Sequence, residues 1–505
     1  MPHHILAIDQ GTTGSTALVV EVVGGSASRT LGRSTAEFRQ HFPRPGWVSH
    51  DAREIWTSVE DCVRDALRAA GVSGSDVAAI GIANQRETTL VWDRETRKPI
   101  DLAIVWQCRR TSDVCEALKG NPRTVARVRE RTGLVIDAYF SATKIAWLLD
   151  HVEGARERAG RGELAFGTVD TFLVSQLTSG AAHVTDVTNA SRTLLMNLAR
   201  GEWDSELCGL FRVPETVLPT IVGSAEVVGR TTGVGFLPDG VPIAGIAGDQ
   251  QAALFGQGCF REGDAKCTYG TGAFVLMNIG DRPIWSDHGL VTTVAWRING
   301  ATTYALEGSA FTAGAAVQWL RDGLGIIQAA KDVEVLARRV SSSEGVVFVP
   351  ALAGLGAPHW DPDARGTITG LTRGTTAAHL ARATLEGIAF EVGDLLDAMV
   401  KDAKRPLARL RVDGGAAAND TLMQFQADVA DVVVERPADV ESTGRGAAML
   451  AGIGSALCLG FDDAARLVRF ESRFEPKLAQ AERAAHWDRW TDAVRRARSV
   501  RPRSL

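Results

Sequence analysis

The sequence predicts an α/β protein built in two similar halves. Three observations lead there. Apolar, strand-like runs alternate with segments of helical periodicity along the chain. A strand, a polar glycine-bearing turn and a second strand open the chain, and the same order returns at 265–278. At 505 residues, the chain exceeds what one hydrophobic core ordinarily supports.

The elements follow in order. Residues 5–8 read as a buried strand ending at Asp9, and 17–23 as its hairpin partner across a Gln10–Ser15 turn. A helix is expected over 52–70 and a buried strand over 77–83. Asn84-Gln85-Arg86-Glu87 then sits at that strand's C-terminal end, and strand character resumes over 88–92. Helical periodicity returns at 142–149 and 168–177. An apolar strand over 241–248 leads into Asp249-Gln250-Gln251 and a helical start. The second hairpin follows, with Tyr269-Gly270-Thr271-Gly272 at its tip. Next come a long helix over 377–399, a strand over 407–412 ending in Asp413-Gly414-Gly415, a helix over 419–430 and a strand over 432–435. The boundary between the halves is expected near 250–260, dividing the chain as 1–254 and 255–505.

Composition is ordinary for a globular protein, 45% hydrophobic and 23% charged. The formal net charge of -5 argues against a nucleic-acid binder. The basic cluster Arg495, Arg496, Arg498, Arg501 and Arg503 reads as a solvated end. Seven scattered cysteines with no CxxC pair argue against a zinc site or disulfide scaffold and fit a reducing compartment. No signal peptide and no membrane span is expected, which places the protein in the cytoplasm.

The familiar phosphate motifs, GxxxxGK[ST] and the protein-kinase set, do not occur. What remains is Asp9-Gln10-Gly11-Thr12-Thr13. Here a glycine admits close backbone approach, two threonines add hydroxyl donors, and Asp9 sits where Mg2+ could bridge to phosphate oxygens. A plain hairpin turn would use the same residues. Thr271 is the partner candidate from the second hairpin. Gly415 leaves room for a flat ring, Asn419 can meet a ribose or base edge, and Gly314 and Gln318 lie one helical turn apart. Asp249, at the C-terminal end of an apolar strand, is placed to take the proton of an acceptor hydroxyl. A helix N-cap is its structural alternative. Arg86 and Glu87 suit a small polyol, though a surface ion pair would look the same. Trp106, Tyr139 and Phe274 can cover a carbon face or simply pack in a core. His183, His359 and His379 have no HExxH spacing, and Asp361, Asp363 and Gly366 read as a turn rather than a calcium loop.

Taken in order, these stretches resemble the sugar and polyol kinases with the actin-like ATPase fold. The resemblance runs from about residue 4 to about residue 490. It is carried by residues 8–13, 45–51, 84–88, 104–111, 139–144, 167–171, 185–192, 247–252, 269–272, 370–374 and 412–415. It implies two ribonuclease-H-like domains flanking a deep catalytic cleft, and phosphoryl transfer from ATP with Mg2+ to a small polyol, glycerol. It further implies glycerol contacts from Arg86, Glu87, Trp106, Tyr139, Asp249, Gln250 and Phe274, with Asp249 as general base. Asp9 and Asp249 would serve the metal. ATP would meet Thr12, Thr13, Thr271, Gly314, Gln318, Gly415 and Asn419. A homodimer or homotetramer fits the same family. Thr16 stands where the family often has arginine, and Ala138 where proline is common. The competing readings are a kinase for another polyol, such as xylulose or erythritol, and a non-catalytic ATP-binding protein on the same fold.

Overall fold

The computed structural model describes residues 3–439, 441–458 and 460–499. Arg501 and Arg503 of the basic tail lie outside the described residues, while Arg495 and Arg496 pair with Asp492 on their own helix.

The opening hairpin forms as the apolar runs demand. Strand β1 (His3–Gln10) pairs antiparallel with β2 (Gly14–Val23), which pairs antiparallel with β3 (Ser26–Glu37). On its other side β1 runs parallel to β4 (Val77–Asn84), and β4 parallel to β6 (Pro242–Gly248), with the short β5 (Gly229–Arg230) at the edge. Helix α1 (Ala52–Ala70) begins where the Asp51 carboxylate accepts from the Arg53 backbone and ends at left-handed Gly71. Its apolar stripe, including Ile55, Val59 and Val63, packs with Leu6, Ile8, Ala17 and Val19. The alternate residues of β1, Ile5 and Ala7, face the other way.

The second half repeats the plan. Strand β7 (Asp264–Tyr269) pairs antiparallel with β8 (Ala273–Gly280) and parallel with β11 (Arg409–Asp413), which runs parallel to β12 (Val434–Pro437). The sheet is completed by β9 (Val291–Ile298) and β10 (Ala301–Ala310) beside β8, and by β13 (Phe470–Phe474) at the far edge. In both sheets a hairpin and its antiparallel third strand flank two parallel strands, so the short echo in the sequence is an echo of topology. The long helix is α6 (Ala377–Ala403), packed on the apolar face of this second sheet.

Helix α4 (Asp249–Gly256) follows β6, and α8 (Ser442–Gly454), from late in the chain, lies against it and against the Ile5/Ala7 face of the first sheet. Their backbones touch. A Cβ on Gly446 would lie 1.8 Å from the Ala252 carbonyl oxygen, and one on Gly256 would lie 1.9 Å from that of Ser442.

Several elements differ from expectation. Strand β3 is polar and exposed along much of its length and carries no apolar alternation. Residues 90–93 do form a strand, but it pairs with 164–167 in a separate two-stranded ribbon. The strand expected over 432–435 begins at Val434, because Asp431 takes a left-handed conformation that ends α7 (Asp420–Ala430) and Val432 still bonds back to Ala427. Asp361 caps a turn, accepting from Asp363 and Ala364.

Candidate active site

The parallel strands of the first sheet deliver the acceptor candidates at their C-terminal ends, the usual place for a site in such sheets. Arg86 and Glu87 follow β4, and Asp249 follows β6. Arg86 and Glu87 are buried, at 2% and 1% exposure, which rules out a surface pair. Glu87 sits at φ 59, a left-handed conformation uncommon for a residue with a side chain. Arg86 Nε lies 3.3 Å from Asp249 Oδ1, and Arg86 Nη2 is 3.4 Å from the Tyr139 hydroxyl. Asp249 is not an N-cap: Gly248 takes that position, and Asp249 Oδ1 accepts from the Gln250 backbone at 2.7 Å. Its other oxygen is left for chemistry. Burial raises the Asp249 pKa, opposed by Arg86 and Lys266.

Tyr139 is held by Asp137, which accepts from its backbone N–H and is itself clamped by Arg109. Its ring meets Trp106 edge-on at 5.6 Å between centroids. Trp106 Nε1 donates to Thr12 Oγ1 at 3.0 Å, so this aromatic touches the candidate phosphate turn directly. Around that turn, Gln40 donates to the Thr12 carbonyl, Gln85 donates to the Gly11 carbonyl, and His50 binds Gln40. Asp9 lies in the same cleft. Burial raises its pKa well above the usual aspartate value, and the Asp249 and Glu441 charges add to the effect. Thr16 stands opposite Asp9 on β2 and bonds Thr35, so no cation comes from that position.

The second sheet offers a polar face to this site. Lys266, Leu276 and Glu307 are directly opposed on β7, β8 and β10, and the Thr268, Phe274 and Ser309 row lies one step along the same face. This brings half-buried Phe274 to the cleft side. Lys266 is fully buried and donates to the Gln250 amide oxygen and to Thr268 Oγ1, tying the acceptor helix to the second half. Glu307 accepts both Arg86 Nη groups, at 2.6 and 2.9 Å. Sequence reasoning missed Lys266, Glu307 and Arg192. The available signal was a charge set among apolar neighbours in mid-strand, as at Lys266 between Ala265 and Cys267 and at Glu307 after Ala305 and Leu306.

The nucleotide candidates gather at the tip of the second hairpin. Gly314 opens α5 (Gly314–Asp322) and donates to the Gly270 carbonyl; Ala313 and Ala315 donate to that of Thr271. A Cβ on Gly314 would sit 2.7 Å from the Gly270 oxygen. Thr13, Thr271, Gln318 and Gly415 are exposed. Gly414, at φ 85, packs on the Tyr269 backbone, and Gly415 beside it has open space where a Cβ would go. Asn419 uses Oδ1 to cap α7 through Leu422 N–H, leaving its amide NH2 for other partners. A separate cavity of about 490 Å³, lined by His288, His359, Lys401 and Trp490 among others, shares no residue with this set.

Among the described residues no group of three or more His, Cys, Asp or Glu side chains could enclose a metal. Asp9 and Asp249 suit a different kind of site. Burial and the Asp249 charge raise the Asp9 pKa, and a Mg2+ ion carried largely by water and phosphate oxygens would relieve that repulsion.

A duplicated sheet with acceptor groups on one half and glycine-rich turns on the other defines a class of two-domain phosphotransferases, and the comparisons place the chain within it. Residues 4–256 match the N-terminal domain, and 265–455 the C-terminal domain, of the FGGY family of carbohydrate kinases. The chain belongs to that family. Its full-length relatives include the glycerol kinase of Myxococcus xanthus, 55% identical over 98% of this chain and 99% of that one. That of Deinococcus radiodurans is also 55% identical, over 98% and 97%. Among solved structures, Plasmodium falciparum glycerol kinase with ADP superposes with a TM-score of 0.92 at 34% identity, covering 99% of both chains. A xylulose kinase from Rhodospirillum rubrum shares the fold, with a TM-score of 0.84 at 24% identity over 98% of each chain.

Proposed function

We propose that the protein transfers the terminal phosphoryl group of ATP to glycerol, giving ADP and sn-glycerol 3-phosphate. The observation that carries this reading is the small acceptor set of Arg86, Glu87, Tyr139 and Asp249, linked through Trp106 to the Thr12 turn in one cleft. Full-length relatives named glycerol kinase support it. In this reading residues 1–254 carry the acceptor pocket and phosphate turn, and 255–505 the nucleotide contacts.

Arg86 and Glu87 orient two hydroxyls of the triol, while Gln250 bonds near the reacting end. Trp106, Tyr139 and Phe274 cover its carbon face. Asp249 takes the proton of the third hydroxyl as that oxygen attacks the terminal phosphorus and the bond to the ADP oxygen breaks. Thr12, Thr13 and Thr271 donate to phosphate oxygens from both hairpin tips. Gly314, Gln318, Gly415 and Asn419 surround the nucleoside. Asp9 and Asp249 would hold Mg2+, which when bound neutralises charge on the phosphates.

The test is ADP release from Mg-ATP with glycerol, xylulose, erythritol or dihydroxyacetone. Strong dependence on glycerol, with glycerol 3-phosphate as product, is expected. Preference for another acceptor overturns the pocket assignment, and no stimulation by any acceptor overturns the enzyme. None of the seven cysteines is joined in a disulfide, which supports a reducing, cytoplasmic setting. Among the described residues no helix is long and apolar enough to cross a membrane. Assembly as a homodimer or homotetramer belongs to the same proposal and is read by sedimentation.

A further inference from the structure

Behind the acceptor residues lies a ring of four buried charges drawn from both halves of the chain. Arg86, Glu87 and Arg192 come from the first half and Glu307 from β10 of the second sheet. Glu307 Oε2 accepts from Arg86 Nη1 at 2.6 Å, and its Oε1 accepts from Arg86 Nη2 at 2.9 Å and Arg192 Nη2 at 3.0 Å. Arg192 Nε donates to Glu87 Oε1 at 2.7 Å. Two arginines balance two glutamates, and none of the four side chains is more than 5% exposed. A carboxylate that receives both prongs of a guanidinium fixes its plane as well as its place.

The consequence falls on the groups that would read the alcohol. With its short bonds taken by Glu307, Arg86 turns Nε toward Asp249 at 3.3 Å and reaches Tyr139 and Gln251 only at 3.4 and 3.3 Å. Those longer contacts are the ones a substrate hydroxyl can replace. Glu87 likewise has one oxygen held by Arg192. Resting on the acceptor site proposed above, we infer that Glu307 and Arg192 are positioning residues for the acceptor alcohol: Glu307 orients Arg86 and Arg192 orients Glu87. The acceptor pocket is therefore incomplete without a strand from the second half.

A cluster that only held the halves together would change stability and leave acceptor recognition alone, and the two roles separate in steady-state kinetics. Glu307→Gln keeps the shape and one acceptor oxygen but removes the charge; Arg192→Lys keeps the charge but removes the fork. Both are measured as full-length protein for KM of glycerol and of ATP, kcat, Tm and calorimetric glycerol binding without nucleotide. Glu391→Gln, which alters a buried carboxylate of α6 outside this ring, is the control. The expected result is a rise of at least tenfold in the KM and dissociation constant for glycerol with the KM for ATP within twofold, and no such split in the control. Arg192→Lys carries the test if Glu307→Gln does not fold. A lowered Tm with unchanged glycerol KM, or equal rises for both substrates, overturns the inference. Wild-type protein in the same assay reports on the function itself: no turnover with glycerol there sinks that reading and this one together. Normal wild-type turnover with an unaltered variant KM sinks this one alone.

Discussion

In the proposed reaction the chemistry turns on Asp249. It stands at the first position of α4 with one oxygen held by its neighbour's backbone, which orients the carboxylate without consuming it. Asparagine there preserves the shape and the backbone bond but accepts no proton. Asp249→Asn is expected to lower kcat by roughly 10²–10⁴, the usual span for a general base, while ADP affinity by calorimetry stays within about threefold. Near-normal turnover would remove Asp249 from that role. The carboxylate's position was legible in the sequence, because an acid ending an apolar strand marks the carboxyl edge of a parallel sheet. Its partners were not. Glu307 reaches Arg86 from 221 positions along the chain and Arg192 reaches Glu87 from 105, and no local pattern encodes such a meeting.

At the scale of the element, two glycine positions make opposite predictions. Gly446 lies where α4 and α8 cross with backbones in contact, so a methyl group has nowhere to go. Gly446→Ala is expected to cost about 1–3 kcal/mol or more through overpacking, read as a lowered midpoint in chemical denaturation. Gly415 faces open space in the nucleotide turn. Gly415→Ala should leave stability within about 0.5 kcal/mol of wild type yet raise the KM for ATP, because the added methyl sits where a base would stack. An unchanged KM would take Gly415 out of the nucleotide site. The hairpins and the helices read over 52–70 and 377–399 were legible because their apolar periods are strong, the second running on to Ala403. Strand β3 was not, since it is polar and largely exposed and forms because β2 presents an open edge to pair with.

Across the whole molecule, two histidines add acid sensitivity, His50 buried and His183 half-buried. His50 donates from Nε2 to Gln40 and receives Gln85 at Nδ1; His183 donates from Nε2 to the Phe166 carbonyl and receives Arg94 at Nδ1. In each, a second proton would point at a donor. Burial lowers both to about 4, with His41 and Arg94 adding repulsion. The folded state therefore keeps these rings neutral while the unfolded chain binds protons below about 6.5. Stability is complete above that value and is lost as pH falls toward 4, by up to about 3 kcal/mol for each ring. Thermal unfolding between pH 7 and 4 should show a steepening fall in Tm. A His183→Gln variant should flatten it, and an identical slope in the variant would exclude His183 as a source.

By itself the sequence determined the alternation of strands and helices, the two glycine-tipped hairpins, the acid at the end of β6 and the family to which these belong. Each is written in residues adjacent along the chain, where periodicity and turn chemistry act. Only the tertiary structure decided that Arg86 and Glu87 are buried rather than exposed, that Trp106 bonds Thr12, and that Lys266 and Glu307 reach from the second sheet into the acceptor site. Those facts depend on the two halves being brought together around α4. Burial converts the charges between them from solvated side chains into a network that must be satisfied internally, because an unpaired charge in that cleft would cost more than the fold can spare.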